Sequence, residues 1–203
     1  MLIIGLTGSI AMGKTTTAQM FADQDIPVYD ADAAVHALYE NGGAAVGPIN
    51  ALHPPAVVEG AVDRGALKTW IKTDPKHLTE LEAVVHPLVT AERQTFLEAA
   101  RAQKAWAVVL DIPLLFETGS ERQMDAVVVV TADPTIQRER ALARPGMTSE
   151  QLDLILARQM PDAEKRALAD YLVDTGEGMK AARQQVQEII ADLKQRYDRG
   201  ETK

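Results

Sequence analysis

Near the start of the chain, Gly8-Ser9-Ile10-Ala11-Met12-Gly13-Lys14-Thr15 matches the pattern G-x-x-x-x-G-K-[ST]. An apolar run precedes it and a helical run follows, the context that gives the pattern meaning. Glycines permit backbone angles that turn successive N–H groups inward, and the start of a helix adds partial positive charge. Such a loop wraps a polyphosphate. Lys14 is expected to bridge the β- and γ-phosphates, and Thr15 to set its hydroxyl on a Mg²⁺ that neutralises the same oxygens. Thr16 follows as a further nucleotide-site candidate.

The phosphoryl group then needs an acceptor, either water, as in a switch or motor, or a small molecule. Guanine readers use Asn-Lys-x-Asp, and the two asparagines here, Asn41 and Asn50, are followed by Gly and Ala. No aspartate is followed by glycine three residues on, so the D-x-x-G switch motif is absent too. A kinase needs a carboxylate near the acceptor hydroxyl, and YDADAAVH supplies Asp30 and Asp32 at the end of a short apolar run. Either can instead cap the helix that follows. We read Asp30 as the cap and Asp32 as the base.

In VVLDIPLLFE, Asp111 ends an apolar run, where a carboxylate commonly holds Mg²⁺ or its waters and can equally be a cap. Pro113, Leu114, Leu115 and Phe116 form an apolar shelf for an acceptor, or core. In PTIQRERALARPGMT, Arg140 and Arg144 are four apart on one helical face, with Arg138 beside them. They suit a phosphate clamp on a closing lid. A solvated cationic face near a helix C-terminus is the alternative.

These residues must be carried by a sheet. The runs 2–7, 27–29, 107–111, 126–131 and 171–174 read as strands, most of them continuously apolar and rich in Val, Ile or Leu. Burial on both faces marks a parallel sheet between helix layers. The fold class is α/β, an open, doubly wound parallel sheet of about five strands with ligands at the strand C-termini. Residues 41–103 show helical periodicity and turn signals but no convincing strand, and read as a helical insertion. The charged stretch 134–165 reads as a helix–turn–helix broken once, at Arg144-Pro145-Gly146. The tail from 178 reads as an amphipathic helix with a frayed polar end that packs on the sheet.

Composition bounds the partners. The chain has 203 residues, 46% of them hydrophobic, enough for a core without metal or disulfide. It has no cysteine, which suits a reducing cytoplasm. The formal charge of −8 argues against nucleic acid or an anionic membrane surface as partner. No apolar stretch is long enough to span a bilayer.

In order and spacing, GSIAMGKT, DADAAVH, DRGAL, HPLV, DIPLLFE, QRERALAR, ARQMPDAEKRALADY and VDTG resemble the dephospho-CoA kinase family, over nearly the whole chain. That family transfers the γ-phosphate of ATP to the 3′-hydroxyl of dephospho-CoA, the last step of coenzyme A synthesis. The resemblance implies a P-loop NTPase fold and a strand order taken by analogy. It implies a nucleotide-binding core at 1–32 and 104–203 with a lid at about 134–165, and a helical insertion at 33–103 that holds the CoA precursor. It implies Asp32 as base, and Lys14, Thr15, Arg140 and Arg144 on the phosphates. Arg64 and His86 fall in its acceptor-domain motifs, where a surface ion pair and a helix-packing role stay open. ATP and Mg²⁺ follow as co-substrate and metal, in a cytoplasmic monomer or weak homo-oligomer. Another small-molecule or nucleoside kinase of this fold, and a nucleotide-binding switch, are the alternatives. Many members carry glycine and serine at Ala11 and Met12, and asparagine at Thr175, a position beside the adenine.

Overall fold

The computed structural model describes residues 1–201. It begins with β1 (Leu2–Thr7), α1 (Lys14–Ala22) and β2 (Val28–Asp30). Then come α2 (Ala31–Tyr39), α3 (Val46–Leu52), β3 (Val57–Val58), β4 (Ala61–Val62), α4 (Arg64–Ile71) and the long α5 (Pro75–Ala102). The second half holds β5 (Ala107–Asp111), β6 (Ala126–Thr131), α6 (Pro134–Leu142), α7 (Ser149–Leu156), α8 (Asp162–Leu168), β7 (Tyr171–Asp174) and α9 (Met179–Asp198).

Five strands form an open parallel sheet in the order β2-β5-β1-β6-β7. β1 lies in the middle, pairing in parallel with β5 through Leu2–Ala107 to Leu6–Asp111 and with β6 through Ile4–Ala126 to Thr7–Val129. Every residue of β5 and β6 is buried, as a strand covered on both faces must be. Phe21 and Met20 of α1, and Val186 and Leu193 of α9, share one core cluster with Leu2, Ile4, Leu6, Val128 and Val173. Because β1 is central, its C-terminal end opens directly into the turn that leads to α1.

Four strands have the bounds expected from sequence. β2 starts one residue later than expected, since Pro27 has no N–H for a ladder, although its carbonyl accepts from the Val109 N–H at 2.9 Å. The single break expected in 134–165 is corrected to two, giving three helices. Thr148 starts α7 with a capping box to Gln151, and α8 begins after Pro161, whose ring suits a helix start and not an interior. α9 buries Ala182, Val186, Ile189 and Leu193 along one stripe. The last two residues of the tail read from 178 onward lie outside the described residues.

Two compact units divide the chain: Met1–Tyr29 with residues from Ala100 on, and Asp30–Ala99. The second has its own core, including Leu38, Ile49, Val62, Leu67, Leu81 and Val85. It also has strands, which corrects the reading of a purely helical segment. β3 and β4 pair antiparallel across Glu59 and Gly60, both at positive φ (52° and 81°), the geometry of a two-residue hairpin turn. Two-residue strands are too short for any alternation to register.

Candidate active site

The turn after β1 needs glycine for space. A Cβ at residue 8 would stand 2.6 Å from the Val130 carbonyl oxygen on the neighbouring strand. The loop then bends through two left-handed residues, Ala11 (φ 62°) and Gly13 (φ 97°), and Gly13 starts α1. A non-glycine in that conformation costs about 1 kcal/mol. Burial of Ala11, which shares a small apolar cluster with Ala141 of α6 and Leu152 of α7, offsets it.

Three side chains fasten the loop's backbone from outside. Gln137 of α6 donates to the Ile10 carbonyl (2.8 Å), Gln159 accepts from the Ile10 N–H (3.1 Å), and the Thr175 hydroxyl donates to the Met12 carbonyl (2.7 Å). The peptides are trans, so the Ala11 and Gly13 N–H groups point away from Gln137 and Thr175. Holding the carbonyls outward therefore aims N–H groups inward. With the start of α1 they make a concavity of donors along Gly8 to Thr15, a geometry that suits an anion. Ser9 is buried, while the Thr15 and Thr16 side chains are exposed on the first turn.

Lys14 forms an ion pair with Asp111, the last residue of β5. The lysine side chain is 17% exposed and the carboxylate 4%, so the charge pair is sheltered and faces the loop. The apolar shelf beyond Asp111 divides. Leu115 and Phe116 are core, Pro113 is half-buried with its carbonyl accepting from the Thr7 hydroxyl (3.0 Å), and only Leu114 is largely open, at 42%.

The three arginines also divide, and because α6 ends at Leu142 with Ala143 as its C-cap, Arg144 lies beyond the helix and not on one helical face with Arg140 as expected. Arg138 is spent on Asp153 of α7 at 2.9 Å. Arg140 donates to the Thr175 hydroxyl (2.7 Å) and carbonyl (2.9 Å), and Arg144 is exposed. Arg140 and Arg144 line a cleft of about 330 Å³ beside the loop, with Thr16, Met20, Met179 and Ala182. A lining that mixes apolar side chains with cations and hydroxyls suits a nucleoside next to its phosphates. Thr175 does not meet the cleft as a free donor, because its hydroxyl is committed to Met12 and Arg140.

In the unit Asp30–Ala99, Asp30 caps α2, its Oδ1 accepting from the Ala33 N–H at 2.9 Å. Asp32 stands exposed in the first turn of that helix. Arg64 opens α4 behind its cap Asp63, and its guanidinium contacts the His36 ring. His86 is exposed in mid α5, immediately before Pro87.

Two features left no mark in the sequence patterns. Gln137 and Gln159 sit in charged helical stretches, where buried partners for glutamine cannot be foreseen. Lys165 of α8 is fully buried, its ammonium 2.9 Å from Glu117 Oε1 in a geometry short of an aligned hydrogen bond. Burial pushes the Glu117 carboxyl up, but Lys165 and the Met160 and Glu117 N–H groups outweigh it and hold the group below the ordinary carboxylate value.

Comparison with known proteins covers the chain almost end to end. The dephospho-CoA kinase family model matches residues 2–181. A protein of Cereibacter sphaeroides named dephospho-CoA kinase is 56% identical over 195 residues, 96% of this chain and 97% of that one. Among solved structures, TT1252 from Thermus thermophilus superposes with a TM-score of 0.81 at 35% identity, covering 95% of this chain and 97% of that one. The dephospho-CoA kinase of Campylobacter jejuni shares the fold, with a TM-score of 0.69 at 22% identity over 94% of this chain and 96% of that one.

Proposed function

The chain belongs to the dephospho-CoA kinase family, and from that premise we propose that it transfers the γ-phosphoryl group of ATP to the 3′-hydroxyl of dephospho-CoA, giving coenzyme A and ADP. One observation carries the reading: a phosphate loop with its lysine at the head of α1, in a chain that matches the family across residues 2–181.

The bond formed joins the acceptor oxygen to the γ-phosphorus, and the bond broken joins that phosphorus to the β–γ bridging oxygen. Asp32 takes the hydroxyl proton and orients the attack. Its exposure leaves the carboxylate accessible to an acceptor. Lys14 leaves Asp111 to bridge the β- and γ-phosphates, while inward N–H groups of the loop hold the β-phosphate. Arg140 and Arg144 offset charge on the transferring group. The cleft of Thr16, Met20 and Met179 receives the nucleoside.

The Thr15 hydroxyl and Asp111 carboxylate are hard oxygen donors that fit Mg²⁺, which is held by few protein ligands and largely by phosphate and water. When bound, the ion neutralises phosphate charge. The unit Asp30–Ala99 supplies acceptor contacts through Arg64 and His86, and in the core unit Pro113 and the exposed Leu114 are the acceptor candidates. No helix among the described residues is long and apolar enough to cross a membrane. A cytoplasmic setting, which the absence of cysteine suits, and a monomer or weak homo-oligomer complete the reading.

A coupled assay of ADP release tests it, comparing dephospho-CoA, adenosine, nucleoside monophosphates and no acceptor with Mg-ATP. Fast ADP release with dephospho-CoA alone, and CoA as product, is expected. Equal release without acceptor would make the chain a hydrolase or switch.

A further inference from the structure

We infer that Thr175 is the positioning residue that couples Arg140 to the phosphate loop, its hydroxyl acting as a relay between the guanidinium and the loop backbone.

A threonine hydroxyl has one proton and two lone pairs. Two carbonyls lie within its reach, Met12 at 2.7 Å and Thr131 at 3.3 Å. The proton goes to Met12, the nearer of the two, while Thr131 accepts the Thr175 N–H at 2.9 Å. That leaves a lone pair for Arg140 Nη1 at 2.7 Å, while Nη2 takes the Thr175 carbonyl at 2.9 Å. Arg140 is thus held by two bonds on one residue, and that residue is held by the loop. Thr175 is 8% exposed, so water does not compete for the relay. A charged donor at one end and burial around it both strengthen such a chain. The methyl has a separate task. A Cβ on Gly13 would come within 3.1 Å of it, so it packs beside the left-handed turn.

The geometry makes the place of Arg140 depend on the state of the Met12–Gly13 peptide, whose N–H faces the phosphate side. Arg140 serves the transferring group while the loop holds the β-phosphate, so one hydroxyl ties the two halves of the phosphate site. This role rests on the kinase function proposed above.

The test is a double-mutant cycle on kcat and both KM values, with dephospho-CoA and Mg-ATP as substrates. T175V keeps the shape and removes the relay, and should lower kcat about 10- to 100-fold, as expected for misplacing a group by about 1 Å. The KM for dephospho-CoA should stay within about threefold. T175S keeps the hydroxyl and should recover most of the lost rate. In an R140A background, T175V should cost little further, because the two residues act as one unit. Equal loss from T175V with or without Arg140 would overturn the role, as would wild-type kcat in T175V. T175S as impaired as T175V would assign the effect to the methyl and also overturn it. If T175V does not fold, T175A takes its place in the cycle, and the same results support or overturn the role. The unsubstituted protein is assayed first: no CoA from it would overturn the function and this role together, whereas CoA formation unaffected by T175V overturns the role alone.

Discussion

The ammonium of Lys14, at the head of α1, is paired with the carboxylate of Asp111, at the end of β5. The adjacency of β1 and β5 makes this possible, since the loop leaves one strand where the other stops. The lysine is therefore held at the mouth of the loop before any phosphate arrives. On the function proposed, Asp111 holds the ammonium at the place from which it would pass to the phosphates.

Lys14→Ala should weaken nucleotide binding and chemistry together. The loss expected is about 3 kcal/mol in kcat/KM for ATP, the scale of one electrostatic stabiliser at a reacting centre. Steady-state kinetics with ATP varied would measure it. An unchanged kcat would leave Lys14 only its structural pairing with Asp111.

Asp32→Asn should keep nucleotide affinity, because nothing in the loop changes, and lose turnover by about 100-fold or more, the scale of a lost general base. Its position in the first turn of α2, with the capping already done by Asp30, means the substitution removes no cap. Titration with ATP beside a turnover assay separates the two. Wild-type turnover would remove Asp32 as base.

Most of the sheet and of the loop is legible in residue order. β1, β5 and β6 are largely apolar because both faces are covered, and Gly8 to Thr15 carries its own geometry. The hairpin at Val57–Val62 is hidden because two-residue strands have no period. The second break, before α8, is hidden as well, because Pro161 punctuates a run whose charges look helical on both sides. What joins the site together is least legible. Gln137, Gln159 and Thr175 act through distances to Ile10 and Met12 across more than a hundred residues, and no spacing along the chain encodes them.

Two loop glycines should fail for different reasons. Gly13→Ala forces a side chain into φ 97° and toward Thr175, so about 1–2 kcal/mol of stability should go with some nucleotide affinity. Gly8→Ala meets a backbone oxygen at 2.6 Å, which no rotamer can relieve, and should displace β1 from β6. Urea unfolding should rank Gly8→Ala as the more damaging. The reverse rank would mean that the loop's left-handed turn, and not the close approach of β6, governs its stability.

The Glu117–Lys165 pair should break asymmetrically. Lys165 is fully buried while the Glu117 side chain keeps 17% exposure, so the two truncations strand different groups. Lys165→Met leaves a carboxylate that water can still reach. Glu117→Gln leaves an ammonium that water cannot, and should cost about 3 kcal/mol, the lower end for an uncompensated buried charge. The pH dependence has a definite sign. The Glu117 pKa is lowered in the fold, so its contribution is fully present above the ordinary carboxylate value of 4.5 and is lost as pH falls from there through the folded pKa. Unfolding free energies from pH 7 downward should fall more steeply in the wild type than in Glu117→Gln. Parallel curves would mean that Glu117 titrates alike in both states, and that the pair orders α8 without stabilising it.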